Sequence, residues 1–281
     1  MRAKLGTGRT NPCYPSYING LPQHAPSEQC PHPCVNAARP IGQVLALTPP
    51  HPDPMRNQLL AALPRDHFAL LAPHLTTVTL PQNLVLSETG DEVDQIYFPH
   101  NGMLSLLAVM RDGKAIETAT VGREGLVGGM AGLGLYISMV RVVVQLPMTA
   151  SKISSTNFRK AVAASEPLRN MCIHYNEVLL TQARVTAACN ALHPVEARFA
   201  RWLLQSADRA ESGTVGLTQE LMAEMLGVRR TSVTEVAGKL QAAGIISYSR
   251  GIIKIVDHSA LQAVSCECYQ TLIDHTGKIA Y

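Results

Sequence analysis

The sequence predicts an α+β chain: an N-terminal antiparallel β-roll, one long helix, and a C-terminal winged helix-turn-helix. Three observations point there. Between Val78 and Ile153, short apolar runs alternate with turn dipeptides. From Leu168 to Leu192 the apolar period switches to steps of three and four. Leu217–Asp257 then reads as two short helices meeting at a glycine, followed by two β-branched strands.

Residues 1–54 hold eleven of the eighteen prolines and show no sustained apolar period, which predicts a disordered segment unable to bury a core. Translation is expected to start at Met55, which would make this segment dispensable. Its Cys13, Cys30 and Cys34, with His24 and His32, match no tight zinc or iron–sulfur spacing.

The roll is expected over residues 55–164. Asn57–Leu63 and Arg65–Pro73 read as short amphipathic helices. Val78–Leu86, Gln95–Phe98, Met103–Met110, Ile116–Val121 and Val140–Leu146 are the strand candidates, divided at Thr89-Gly90-Asp91, Asn101-Gly102 and Asp112-Gly113. Many short strands at near-regular spacing favour an antiparallel roll or sandwich.

A dimerisation helix is expected over 165–193. Leu168, Met171, Tyr175, Val178, Gln182, Val185 and Cys189 form a heptad seam that ends at Leu192, with Gln182 helping to fix register. Pro194 ends the helix and marks a hinge at Leu192–Pro194. A DNA-binding domain is expected over 194–269, opened by a helix Val195–Arg209 with Trp202 as core anchor, and followed by a tail, 270–281.

Within that domain Thr218 is a good N-cap, because its hydroxyl can satisfy an orphan backbone N–H. Ala223 lets two helices cross closely, and Gly227 can adopt positive φ where the chain must turn. The second helix, about Arg229–Ala243, buries Val233, Val236, Ala237 and Leu240 on one stripe. Its other face offers Arg229, Arg230, Thr231, Ser232, Thr234 and Glu235 in the first two turns, where this motif meets base edges. Ile245–Tyr248 and Ile252–Val256 make the wing, joined by Ser249-Arg250-Gly251. From Arg229 to Lys254 there are five basic residues (Arg229, Arg230, Lys239, Arg250, Lys254) and one acid, Glu235, a local excess of +4 suited to phosphates.

The whole-chain charge of +3 and a pI near 8.5 are too mild to argue for an acidic partner, so the local charge carries that expectation. No apolar run reaches the roughly 18 residues of a membrane helix, and no secretory signal is evident. Seven irregularly spaced cysteines fit a reducing cytoplasm rather than a disulfide framework. Cys172 and Cys189 read as small core residues, and Cys266-Glu267-Cys268-Tyr269 as too compact for a self-contained zinc site, so neither metal nor cofactor is expected. No Walker loop, Rossmann glycine pattern, nucleophile elbow or His-Glu-x-x-His stretch occurs, which argues against an enzyme.

Roll, long helix, hinge and winged helix-turn-helix, in that order, resemble the Crp/Fnr superfamily of bacterial transcription regulators from about Arg56 to Tyr269. The resemblance implies a homodimer that binds duplex DNA at an inverted repeat and contacts RNA polymerase. By position, Arg230, Thr231 and Glu235 correspond to the three base-reading residues of the cyclic-AMP receptor branch. Only the arginine is kept, which argues against the same operator. In members that bind cyclic nucleotide, a Gly-Glu pair holds the ribose and an Arg-Ser/Thr pair the phosphate. Here Gly128 lacks the following glutamate, and Val142 follows Arg141. Glu124, Gly128 and Arg141 are the remaining candidates for an effector pocket. Two alternatives stay open: a cyclic-nucleotide-responsive regulator, and a winged-helix interaction module that does not bind DNA.

Overall fold

The computed structural model describes residues 17–18, 21–22, 53–210 and 214–279. The expectation for residues 1–54 therefore falls largely outside the described residues. Its exceptions are Asp53, Pro54 and a short antiparallel ladder of β1 (Tyr17–Ile18) with β2 (Leu21–Pro22).

Asn57 anchors the first helix, α1 (Gln58–Ala62), to the roll. Its Oδ1 accepts from Leu60 N at 3.1 Å, while Nδ2 donates to the carbonyls of Pro99 and Gly125 at 2.9 and 2.8 Å. A second short helix follows, α2 (Arg65–Phe68).

Two antiparallel sheets build the roll. One has the order β3 (Thr76–Leu80), β9 (Met148–Ser154), β5 (Gln95–Pro99); the other runs β4 (Val85–Ser87), β8 (Arg141–Leu146), β6 (Met103–Val109), β7 (Ala115–Val121). The expected strand Val78–Leu86 is thus two strands, because Pro81 cannot continue the ladder. The central strand β9 has no counterpart among the strand candidates. Its sequence Met-Thr-Ala-Ser-Lys-Ile-Ser is poor in β-branched apolar residues, yet it pairs on both sides.

Alternation fails in β6 for a physical reason. Leu104 and Leu106 face the roll interior with Phe98, Val121 and Val144, whereas Met103 and Leu107 belong to a second core with Phe199, Trp202 and Leu203. A strand buried on both faces reads as a continuous apolar run.

Two helices follow the roll, each capped by a serine. Ser154 Oγ accepts from Asn157 N ahead of α3 (Ser155–Ala164), and Ser165 Oγ from Leu168 N ahead of α4 (Glu166–Leu192). The seam expected to form a dimer interface instead turns inward. Leu168, Tyr175 and Val178 are at most 2% exposed inside the roll core, and Met171 packs against it. Gln182 Oε1 accepts from Thr120 N at 3.1 Å, and Val185 joins Cys189 in a small cluster of its own. The heptad period is real, but the chain's own sheet and C-terminal segment take up the stripe. Among the apolar residues that α4 leaves exposed, Ile173, Leu180 and Ala187 are again seven residues apart.

After Pro194 comes α5 (Val195–Ala210), then β10 (Thr214–Gly216), α6 (Gln219–Leu226), α7 (Arg230–Ala242), β11 (Ile246–Ser249), β12 (Ile252–Ile255), α8 (His258–Val264) and α9 (Cys268–Ile279). The last helix corrects the expectation of a tail: α9 lies against α4, with Leu272 buried and Tyr269 Oη donating to Asp208 Oδ2 at 2.8 Å. Among the described residues no helix is long and apolar enough to cross a membrane.

Candidate nucleic-acid interface, cavity and thiol cluster

The helix-turn-helix assembles as its residue types require. Thr218 Oγ1 accepts from Leu221 N at 3.2 Å at the start of α6, and Gly227 ends that helix at φ 62°. Gly227 also sits against the roll, since a Cβ there would fall 2.7 Å from Ile116 Cδ1. Val233, Val236, Ala237 and Leu240 of α7 are buried. The opposite side leaves Arg229, Arg230, Thr231, Thr234 and Glu235 exposed, with Ser232 half-buried.

The wing is a two-residue hairpin, tighter than the expected three-residue link. Ser249 still pairs with Ile252, and Arg250 and Gly251 turn at φ 50° and 77°. Positive φ at both central positions suits the right-handed twist of the flanking strands. Strand β10 extends this sheet in the order β10-β12-β11. Arg250 and Lys254 are exposed and, like Arg229, have no ion-pair partner among the described residues.

Two of the candidate reading residues are held only loosely. Arg230 lies 3.6 Å from Glu220, and Glu235 2.9 Å from Lys239, one helical turn on. The Lys239 ammonium holds the Glu235 carboxyl below its ordinary range. Exposed pairs of this kind are screened by solvent and weak beside a bidentate arginine–guanine contact. Arg230 can therefore exchange Glu220 for a base.

Strands of the roll and α4 line a cavity of about 850 Å³ that opens to solvent. Of the three candidate effector residues the structure brings only Gly128 to its wall. Glu124 points away, where its Oε1 accepts from Arg209 Nη2 at 2.6 Å and Nε at 3.2 Å. Burial alone would raise the Glu124 carboxyl, but the Arg209 guanidinium and the Gly122 N–H outweigh it and the net shift is downward. Arg141 Nε donates to Glu88 Oε2 at 2.7 Å. The wall contains Asp91, Glu92 and Asp94 and no arginine or lysine, so a cyclic phosphate would meet like charge. Gly125 lies close to α4, because a Cβ there would fall 1.7 Å from Tyr175 Oη.

Roll and winged domain are joined by polar contacts as well as apolar ones. Trp202 does anchor a core, and its Nε1 also crosses to the roll, donating to Glu117 Oε1 at 2.8 Å. Ser105 Oγ donates to the other carboxylate oxygen at 2.5 Å. Burial nevertheless pushes the Glu117 carboxyl up to about 7, with Ser105, Arg201 and Trp202 only partly opposing it. Gln82 Nε2 donates to Gly216 O at 2.8 Å, a further link.

The structure also assembles a group that the sequence spacing hid. Cys189 lies in the last turn of α4 and His193 caps it, while Cys266 lies between α8 and α9 and Cys268 opens α9. The three sulfurs and one histidine nitrogen all lie within 4.8 Å of one another. Expectation held Cys189 to be a core or seam residue and the Cys266/Cys268 pair to be too small for a metal. Each half is too small alone; the fold supplies the other from 73 or more residues away. Contact with the Cys266 thiol holds the Cys189 sulfur well below the ordinary thiol range, while Cys266 is pushed up.

Residues 197–264 match the family described as a Crp-like helix-turn-helix domain. No curated protein matches the chain in sequence. A Crp/Fnr-family protein from Eubacterium rectale shares the fold with a TM-score of 0.59 at 17% identity, over 75% of this chain and 97% of that one. FixK2 from Bradyrhizobium japonicum gives 0.58 at 14% identity, over 68% and 98%. CLP from Xanthomonas campestris, a c-di-GMP responsive global regulator, gives 0.56 at 18% identity, over 68% and 99%. At these identities the likeness establishes the fold.

Proposed function

We propose, from the premise that this chain has the fold of the Crp/Fnr regulators and carries a Crp-like helix-turn-helix domain, that it is a sequence-specific DNA-binding transcription regulator. One observation carries the reading. The first two turns of α7 expose Arg229, Arg230, Thr231, Thr234 and Glu235, and the wing exposes Arg250 and Lys254, while Val233, Val236, Ala237 and Leu240 on the other face of α7 are buried in the core. A helix N-terminus rich in arginine and hydroxyls suits base edges, and a wing cation suits the phosphate backbone. The regulator acts as a homodimer on an inverted repeat with half-sites about 34 Å apart, and contacts RNA polymerase from the DNA. The exposed row Ile173, Leu180 and Ala187 of α4 supports pairing with a second copy, in place of the inward seam. The acidic wall of the roll cavity favours an effector other than a cyclic nucleotide.

The test is an operator selected from genomic DNA, followed by a panel of half-site variants. Arg230→Ala should lose roughly 1–3 kcal/mol and relax preference at one position of each half-site. Arg250→Ala should weaken all sequences alike and reduce the salt slope by about one. Salt-insensitive binding, or no binding to duplex DNA, would leave an interaction module. Uniform weakening by Arg230→Ala would make Arg230 a phosphate contact.

A further inference from the structure

The cluster at the end of α4 has the dimensions of a tetrahedral metal site. Cys189 Sγ lies 3.6 Å from Cys266 Sγ, and Cys268 Sγ lies 3.6 Å from His193 Nδ1. Zinc–sulfur bonds of about 2.3 Å in a tetrahedron place two sulfurs about 3.8 Å apart. A disulfide would bring them to about 2.05 Å. The three cysteines are at most 8% exposed, yet only Val185 and Ala197 pack against them as partly buried hydrophobics, so apolar packing gives little reason to gather three thiols here.

The surroundings fit the same reading. Glu267 Oε1 lies 3.2 Å from His193 Nε2, so the ring presents Nδ1 to the sulfurs while its other nitrogen faces a carboxylate, the usual support for a metal-bound histidine. Arg198 and Arg201 are buried at 7% and 4% exposure, and each has an Nε without a hydrogen-bond partner. Both act electrostatically on Cys189. Buried cations need a counter-charge, and a divalent ion held by three thiolates and a neutral imidazole carries a net charge of −1.

We propose that Cys189, His193, Cys266 and Cys268 form a closed Cys3His site for a divalent thiophilic ion, zinc above all, that fastens the end of α4 to the α8–α9 junction. Three thiols lose their protons to solvent on binding, and the imidazole binds neutral through Nδ1. Soft thiolates joined by one imidazole in a tetrahedron select zinc over magnesium or calcium, and four protein ligands leave no open position, so the site is structural. It pins the two segments flanking the winged domain, Leu192–Pro194 and Ser265–Cys268, to each other.

Metal analysis of the full chain, purified under reducing conditions, should find about one zinc per chain. Changing Cys13, Cys30 and Cys34 to serine should leave it bound, as should Cys172→Ser. Cys266→Ser or Cys268→Ser should lose it. After the metal is removed from the unaltered chain, cobalt(II) should give tetrahedral ligand-field bands and thiolate charge-transfer absorption, a readout that holds even if the serine variants fail to fold. Chelation should lower the melting temperature and zinc should restore it. Three outcomes overturn the proposal: a folded, metal-free chain indifferent to zinc and cobalt, loss of metal with the N-terminal cysteines, or a Cys189–Cys266 disulfide as the resting state of the reduced preparation.

Discussion

At the scale of single residues the strongest physical demand falls on Glu117. Its carboxyl is buried between β7 and α5, and its two hydrogen bonds do not replace the water it has lost. With a folded value near 7 against an ordinary 4.5, the folded chain holds a proton that the unfolded chain releases between those limits. Stability therefore falls as pH rises through that window, and above about 7 the full cost is about 3 kcal/mol. Glu117→Gln keeps an acceptor for the Trp202 N–H and removes the titration. The variant should melt with the unaltered chain near pH 5 and on the order of 6 °C above it at pH 8, by calorimetry across that range. A constant gap at all pH values would show that Glu117 does not titrate there.

Among elements, α4 shows what a pattern can and cannot say. Its seven-residue period was legible from Leu168 to Cys189, because such a stripe must meet a continuous partner surface. Which surface was not legible, since the same stripe fits a second helix or the strands of a roll. The α6–α7 turn and the wing were legible for the opposite reason: Thr218, Gly227 and Gly251 act locally, through a cap and positive φ, wherever the rest of the chain lies. The thiol cluster and β9 needed partners from distant sequence, which local spacing cannot supply. The two faces of α4 make distinct predictions. Val178→Asp places a charge at a position 1% exposed in the roll core and should cost roughly 3–5 kcal/mol, seen as loss of the folded transition. Ile173→Asp with Leu180→Asp changes positions 52% and 42% exposed, and should leave melting of the monomer within about 0.5 kcal/mol. Sedimentation of that double variant should show monomer. If it stays dimeric, the copies meet elsewhere.

For the whole molecule, the consequential feature is that the second core is shared. Met103, Leu107, Val143 and Leu146 come from the roll, while Phe199, Trp202, Leu203 and Leu226 come from the helical domain, and all are at most 9% exposed. Domains joined by small polar interfaces melt separately and move freely, whereas a common apolar core couples them. Burying each of these large side chains contributes about 1.5–3 kcal/mol, so several together outweigh the individual polar links at Gln82, Glu117 and Glu124. The cavity draws on the same sheet from its other side, through Leu106, Thr118 and Ala119. A ligand that shifts β6 or β7 therefore acts on strands that also carry the winged domain. The sharing predicts one calorimetric transition for residues 53–279, with van't Hoff and calorimetric enthalpies equal at fixed chain concentration. A chain ended at Leu192 should expose the four roll residues and aggregate rather than fold as an isolated roll. Two resolved transitions, or a soluble and cooperatively folding piece ended at Leu192, would show that each domain closes its own core. Any coupling between the cavity and α7 would then have to run through the segment Leu192–Pro194 alone.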